Sequence, residues 1–196
     1  MAANALIFDL DGTVWDSAAW FAAALGEDDP DAVAAARSDL VAGGNIVRVL
    51  NRAGISRVRL LNEAQRRCGP PPLFNGVVET LKALEQRGTP IAVATSLPGS
   101  LALPMVKAAG LAETFGAIVH AGICRVPKPN PASINMALRL LGVPASLNVF
   151  YVGDRAIDAE AARRAGVSSA WIAHGYEHPD HGLGIVPIVP AELLDL

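Results

Sequence analysis

From residue 75 onward the sequence alternates between helix-like segments and short apolar runs, and this alternation restricts the chain to few folds. A glycine follows each helix-like segment and supplies the left-handed residue that ends many helices. The apolar runs lack the polar alternation of half-exposed strands, so they are typical of a parallel sheet that helices cover on both faces. The sequence thus predicts an α/β fold. The predicted helices are 77–87, 101–109, 131–141 and 156–165, and the predicted strands are 91–94, 117–119, 149–152 and 170–173.

The start of the chain has a different organisation. Residues 5–8 are apolar and predict a first strand, whereas residues 17–74 contain no comparable strand. Four helix-like segments in that stretch predict a small all-helical module inserted after strand one, with hinges near residues 14–17 and 69–76. We therefore expect an α/β core of residues 1–15 and 75–196 and a helical cap of residues 16–74. The predicted cap helices are 18–25, 30–41, 45–53 and 58–67.

Composition argues against two classes of function. The net charge is −3, and the charged residues do not form the basic stripe of a nucleic-acid-binding protein. The longest apolar runs fall short of the roughly 18 residues of a membrane span, and the N-terminal residues do not resemble a signal peptide. Two cysteines, Cys68 and Cys124, are too few for a disulfide framework. We expect a cytoplasmic protein without nucleic-acid or membrane partners, whose oligomeric state the sequence does not indicate.

Two carboxylates follow the first strand directly. Asp9 and Asp11 are two residues apart and point the same way at a strand end, which is where parallel sheets bind ligands. Repulsion between them favours a bound metal ion or a shared proton. Gly12 lets the backbone turn and approach a ligand closely. Aspartate and glycine also form ordinary surface turns, so this segment alone is weak evidence of function.

Hydroxyl groups and a lysine follow at later positions. Thr95 and Ser96 come directly after strand 91–94 and suit the binding of a phosphate oxygen, although both residue types also cap helices. Lys128 lies in a proline-stiffened loop of a chain that has thirteen arginines and three lysines. Lys82 and Lys107 lie on predicted helix surfaces. Lys128 is therefore the lysine placed to act as a point charge on a phosphoryl group.

A second pair of carboxylates follows strand 149–152. Asp154 ends that strand, and Asp158 lies one helical turn later on the same face. Oxygen ligands of this kind suit a hydrated Mg²⁺. Asp158 also lies in the first turn of a helix, where an acidic residue is favourable without any metal.

In this order, the four segments resemble the motifs of the haloacid-dehalogenase-like hydrolases. The resemblance covers nearly the whole chain and implies a Rossmann-like core. The helical insert resembles the small cap of phosphoglycolate-phosphatase-like and β-phosphoglucomutase-like members. The matching residues are Asp9-Leu10-Asp11-Gly12-Thr13, Thr95, Lys128-Pro129, and Gly153-Asp154 with Asp158.

The resemblance implies a Mg²⁺-dependent phosphatase that hydrolyses a small phosphorylated metabolite. By resemblance, Asp9 is the nucleophile that forms an aspartyl phosphate. Asp11 is the general acid for the leaving oxygen and then the base for water. Lys128 and Thr95 neutralise and hold the transferring phosphoryl group.

The metal ligands are implied in the same way. Mg²⁺ is expected on Asp9, Asp154 and the backbone carbonyl of Asp11, with Asp158 acting directly or through water. The cap is expected to close over the site and select the substrate. Asn45 and Arg48 in the cap are candidate substrate contacts, although Asn45 equally suits a helix N-cap and Arg48 a solvated helix face.

Two other functions compete with hydrolysis. A phosphorylatable signalling or binding module also combines acidic residues, a hydroxyl and a lysine, but its acceptor follows a later strand and it lacks a large insert after strand one. A sugar-phosphate mutase of this family typically uses a histidine and a lysine of the cap. This chain has no histidine before His120 and no lysine before Lys82. The sequence therefore favours release of phosphate to water.

Overall fold

The computed structural model describes residues 3–24, 56–172 and 188–196, together with the single positions 31, 34, 38 and 54. One parallel five-stranded sheet forms the centre of the described part, with strand order β3-β2-β1-β4-β5. The first strand of the chain is thus the middle strand of the sheet. The strands are β1 Ala5–Phe8, β2 Ile91–Ala94, β3 Ala117–Val119, β4 Val149–Gly153 and β5 Ser168–Trp171.

Helices connect the strands and follow the last one. The glycines that follow the helices Ala132–Leu141 and Ala156–Ala165, Gly142 and Gly166, adopt the left-handed conformation that the helix-end pattern predicts. The helices are α1 Ser17–Ala24, α2 Arg57–Cys68, α3 Val77–Gln86, α4 Gly99–Ala108, α5 Ala132–Leu141, α6 Ala156–Ala165 and a 3₁₀ helix, Pro190–Asp195.

Apolar side chains cover both faces of the sheet, as the unalternating strands predict. Along β1, Leu6 and Phe8 pack into one core with α3 and α4, whereas Ala5 and Ile7 pack into a second core with α5 and α6. Successive residues of a strand point to opposite faces, so a strand buried on both sides must be apolar throughout. The α/β, Rossmann-like fold is confirmed.

Several element boundaries differ from the prediction by one or two residues. Strand β5 begins at Ser168, because Ser168 and Ser169 pair with Phe150 and Tyr151 of β4, and it ends at Trp171. Helix α4 begins at Gly99, two residues before its predicted start. Helix α5 begins at Ala132, after the predicted Pro131.

The segment predicted as a cap is described in part. Helices α1 and α2 pack against each other, and Trp20 of α1 donates a hydrogen bond to the carbonyl of Gly69 at the predicted hinge, at 3.1 Å. Trp15 and Trp20 are both buried and belong to the core. The predicted helices 30–41 and 45–53 fall almost wholly outside the described residues. No helix in the described part is long and apolar enough to cross a membrane.

Candidate active site

Three carboxylates meet at the carboxyl edge of the sheet. Asp9 follows β1, Asp154 follows β4, and Asp158 lies in the first turn of α6. All three are buried, and one oxygen of each lies within 4.8 Å of the others. Adjacent parallel strands end at the same edge, which is why residues distant in sequence converge here.

Lys128 lies between two of these carboxylates. Its Nζ is 2.7 Å from Oδ2 of Asp9 and 2.6 Å from Oδ1 of Asp158, and its side chain is 3% exposed. A third hydrogen bond, of 3.0 Å, links Nζ to the hydroxyl of Tyr151. An ammonium group has three N–H donors, so these three acceptors match its full donor capacity.

The charges of the site do not balance. When all are ionised, the three carboxylates and the ammonium carry a net charge of −2, and burial raises the pKa of Asp158, which disfavours its charged form while Lys128 opposes this. Burial disfavours the charged form of Lys128, but Asp158 and Asp9 outweigh it and hold the lysine pKa well above its ordinary value. The lysine therefore stays positively charged, and a divalent cation would neutralise the negative charge that remains on the ionised cluster.

The ligand chemistry also fits a hard cation. Oδ1 of Asp9 is buried and has no hydrogen-bond partner within the described part of the chain, which is costly unless a ligand satisfies it. Carboxylate oxygens are the donors that Mg²⁺ prefers. Asp9, Asp154 and Asp158 are thus brought together as the sequence predicts, and their arrangement suits a metal ion.

Glycine at position 12 is required by the close approach of the first loop to Asp154. Gly12 has a φ of 77°, and a Cβ atom there would overlap the carboxylate of Asp154, whose Cγ would lie 2.7 Å away. The same crowding occurs at Gly153, where a Cβ would lie 2.6 Å from the Cβ of Asp158. Both positions therefore need glycine if the carboxylates are to keep their places.

Asp11 stands apart from the ion cluster. Its Oδ1 accepts a 3.1 Å hydrogen bond from Nε1 of Trp15. Burial, reinforced by the nearby charge of Asp9, raises the pKa of Asp11 to about 6, against the opposing hydrogen bonds of Ser17 and Trp15. A carboxyl group with this pKa exchanges a proton near neutral pH, as a general acid and base must.

A solvent-open cleft of about 320 Å³ adjoins Lys128. Thr95 and Ser96 line it, as predicted for a phosphate site, and so does Ser133 of α5, which the sequence prediction missed. The Thr95 hydroxyl accepts a 3.2 Å hydrogen bond from the backbone N–H of Leu97. This is a local turn rather than a helix N-cap, because α4 begins only at Gly99.

Tyr151 is a second residue that sequence reasoning missed. It occupies an apolar strand, is fully buried, and donates a 2.7 Å hydrogen bond to the carbonyl of Ala94. Burial, reinforced by Asp9, raises its pKa well above the ordinary value, so the hydroxyl keeps its proton. The only sequence signal was a hydroxyl-bearing side chain in a strand otherwise made of apolar residues. Asn45 and Arg48, the predicted cap contacts, lie outside the described residues.

Comparison with known proteins agrees with this geometry. A family model described as haloacid dehalogenase-like hydrolase matches residues 3–166. The chain belongs to the haloacid-dehalogenase-like hydrolase family. It is an enzyme, and its relatives place it among the phosphatases of that family.

Three similar proteins illustrate the match. Phosphoglycolate phosphatase of Pectobacterium atrosepticum is 34% identical, with 90% of this chain and 83% of the relative covered. N-acetylmuramic acid 6-phosphate phosphatase of Pseudomonas aeruginosa is 29% identical, with 100% and 95% covered. The solved structure of CbbY from Rhodobacter sphaeroides, with xylulose-1,5-bisphosphate, has a TM-score of 0.73 at 21% identity and 99% and 100% coverage. At that identity, the structural match speaks for the fold alone.

Proposed function

We propose that this enzyme is a Mg²⁺-dependent phosphatase that hydrolyses a small phosphorylated metabolite through an aspartyl phosphate on Asp9. The observation that carries the proposal is the state of the Asp9 carboxylate at the end of the central strand. One of its oxygens is held by Lys128, and the other is buried and has no hydrogen-bond partner among the residues that the structure describes. A nucleophilic carboxylate is helped by one oxygen that is held in place and one that no hydrogen bond occupies, and the two oxygens of Asp9 differ in this way.

Asp11 supplies the proton transfers. In the first step, an oxygen of Asp9 bonds to phosphorus and the bond from phosphorus to the ester oxygen breaks. Asp11 donates its proton to the leaving ester oxygen. In the second step, Asp11 takes a proton from water as the water oxygen attacks the phosphorus of the aspartyl phosphate and the Asp9 carboxylate leaves. The pKa of about 6 suits both steps, and Trp15 holds the carboxyl group in place.

Lys128, Thr95 and Ser96 bind the phosphoryl group during both steps. Phosphoryl transfer brings an anionic group to an anionic nucleophile, so positioning and charge neutralisation supply most of the catalysis. The ammonium lies 2.7 Å from Oδ2 of Asp9, and the hydroxyls line the adjoining cleft.

Mg²⁺ would be held by the carboxylates of Asp9, Asp154 and Asp158 and by the backbone carbonyl of Asp11. When bound, the ion supplies further positive charge beside the transferring group. Asp158 also has a second task, because its Oδ2 accepts a 3.1 Å hydrogen bond from the backbone N–H of Arg155 at the start of α6. The net charge of −2 among the ionised groups supports a divalent ion.

Residues 16–74 are proposed to form the cap and residues 1–15 and 75–196 the catalytic core, in a cytoplasmic enzyme. The cap would exclude water on closing and select the substrate, with Asn45 and Arg48 as candidate contacts. The stretch 16–74 contains neither histidine nor lysine, which supports hydrolysis over mutase chemistry. Phosphoglycolate and N-acetylmuramic acid 6-phosphate, the substrates named for the relatives, are the first esters to test.

The deciding experiment is a phosphate-release screen of phosphorylated metabolites with EDTA or Mg²⁺. We expect turnover that disappears with EDTA and returns with Mg²⁺. The Asp154→Ala variant should require a much higher Mg²⁺ concentration for activity. The control variant Glu113→Gln, which changes an exposed carboxylate away from the cluster, should have the wild-type requirement. Full activity in metal-free buffer would refute the metal requirement, and a long-lived phosphoprotein without turnover would favour a signalling module. Hexose 1-phosphates with catalytic bisphosphate complete the screen, since isomerisation faster than phosphate release would identify a mutase.

A further inference from the structure

The hydroxyl of Tyr151 connects parts of the site that belong to different strands. Tyr151 lies on β4 and Ala94 is the last residue of β2, and these two strands flank β1. The 2.7 Å hydrogen bond from Tyr151 to the carbonyl of Ala94 therefore crosses the central strand. Asp9 follows that central strand, and Thr95 follows Ala94 directly.

The direction of each hydrogen bond is determined by the groups involved. The carbonyl of Ala94 can only accept, so the tyrosine hydroxyl donates its single proton there. The ammonium of Lys128 can only donate, so the same hydroxyl oxygen accepts from Nζ, at 3.0 Å. The hydroxyl thus has one donor and one acceptor role, both filled, and phenylalanine could replace neither.

We propose that Tyr151 is a positioning residue of the phosphoryl-transfer site, whose hydroxyl fixes the Lys128 ammonium between Asp9 and Asp158 and ties it to the strand end that bears Thr95. Two carboxylates alone leave the ammonium free to rotate about the line between them. The third acceptor removes this freedom, and because it is anchored on β2, it sets the distance from Lys128 to the Thr95 turn. This inference rests on the proposed function.

The test is Tyr151→Phe, which removes one oxygen and keeps the ring. We expect kcat to fall about tenfold or more, because a hydrogen bond to a charged group is lost, while KM changes by less than about threefold. Ser168→Ala is the matched control. Ser168 also donates from a sheet strand to a backbone carbonyl, that of Leu147 at 2.8 Å, but away from the site, and we expect it to leave both constants unchanged.

A double-mutant cycle separates positioning from a general loss of structure. If Tyr151 acts through Lys128, Tyr151→Phe combined with Lys128→Met should be no slower than Lys128→Met alone. A double variant whose loss equals the product of the two single losses would overturn the proposal, as would a Tyr151→Phe enzyme within twofold of wild-type kcat.

A crystal structure of Tyr151→Phe decides the same question without turnover. We expect the Lys128 ammonium to move away from its position between Asp9 and Asp158. An unmoved ammonium, with both distances retained, would refute the positioning role. If the wild-type protein released no phosphate from any ester, the proposed function would fail, and this structure would still test whether Tyr151 positions Lys128.

Discussion

Helix α6 carries two acidic residues, two positions apart, in opposite surroundings. Asp158, in the first turn, is buried and contacts Lys128 from a loop thirty residues earlier in the chain. Glu160 contacts Arg163 and Arg164 of the same helix, with nitrogen–oxygen distances of 2.7 Å to each, and all three side chains are accessible to solvent. The distances alone do not distinguish the two clusters.

Solvent makes the difference between them. Water and salt weaken the attraction between the exposed groups, so the Glu160 cluster contributes little to stability. The buried cluster has no such screening, and loss of one member leaves unpaired charge in the interior. Ion pairs of equal length can therefore lie on a solvated helix face in one place and in a buried candidate site in another.

The largest difference between the two clusters is expected when a carboxylate of the buried cluster loses its charge. We expect Asp9→Asn to abolish turnover, by about a thousandfold or more, because an amide does not form the aspartyl phosphate. The amide oxygen can still accept from Lys128, so the circular dichroism spectrum and melting temperature should stay near those of the wild type. Steady-state phosphate release near the wild-type rate would remove Asp9 from the mechanism.

Loss of the shared cation should affect both activity and stability. We expect Lys128→Met to lower kcat and kcat/KM together by about a hundredfold or more, the pattern of a lost transition-state contact. In EDTA, the free energy of unfolding should fall by about 3–5 kcal/mol, because two buried carboxylates lose their partner. Lys82→Met, on the exposed face of α3, is the matched control and should change neither quantity. An unchanged kcat with a raised KM would make Lys128 a substrate-binding residue only.

A smaller, pH-dependent effect is expected at Asp11 in the metal-free protein. Its pKa is about 6 in the folded state and 3.8 as the ordinary value, so the folded state binds the proton more tightly. Folding is then disfavoured progressively as the pH rises from about 4 through about 6. Asp11→Asn, which keeps an acceptor for Trp15, should stabilise the protein by up to about 2 kcal/mol at pH 7–8 and by nothing below pH 4. Urea unfolding in EDTA at several pH values measures this, and a pH-independent difference would contradict it.

The smallest effect is expected at the exposed cluster. Hydrogen bonds from Arg163 and Arg164 lower the pKa of Glu160 to about 2, so its contribution to stability is present above the ordinary 4.5 and is lost as the pH falls toward 2. Glu160→Gln should lower the melting temperature slightly at pH 7, and less in about 0.5 M salt. Its kcat should equal that of the wild type. A loss of activity here would show that the two clusters are coupled along α6.

Local patterns in the sequence were sufficient to predict most of the fold. The glycines after the helices and the apolar strands before Asp9, Thr95 and Asp154 are signals that lie within a few residues of the feature they predict. The start of β5 was missed because Ser168 and Ser169 are polar and join the sheet only through pairing with β4. The pairing partner, rather than the propensity of the serines, determines that boundary.

The site was predictable in its residues and less so in its connections. Asp9 and Asp158 could be recognised from their places at a strand end and in a helix first turn. The attachment of Lys128 to Tyr151 could not, because a tyrosine in an apolar strand is ordinarily core, and nothing near position 151 indicates where its hydroxyl points. Such contacts depend on the order and register in which three strands pair, and a short window of sequence does not contain this information.

The central position of β1 has a consequence for biosynthesis. Its neighbours in the sheet are β2 and β4, so Leu6 cannot pair until Ile91 has been synthesised, and Ala5 cannot pair until Val149 has been synthesised. At about 5–20 residues per second, a ribosome needs roughly 4 to 17 s to reach Ile91 and roughly 7 to 29 s to reach Val149. Until Ile91 has been made, a wholly apolar strand has both edges unpaired, and one edge stays unpaired until Val149 has been made; unpaired edges can associate with other nascent chains. Substitutions that make residues 5–8 more aggregation-prone should therefore lower the yield of soluble protein even when they leave the melting temperature of the folded enzyme unchanged.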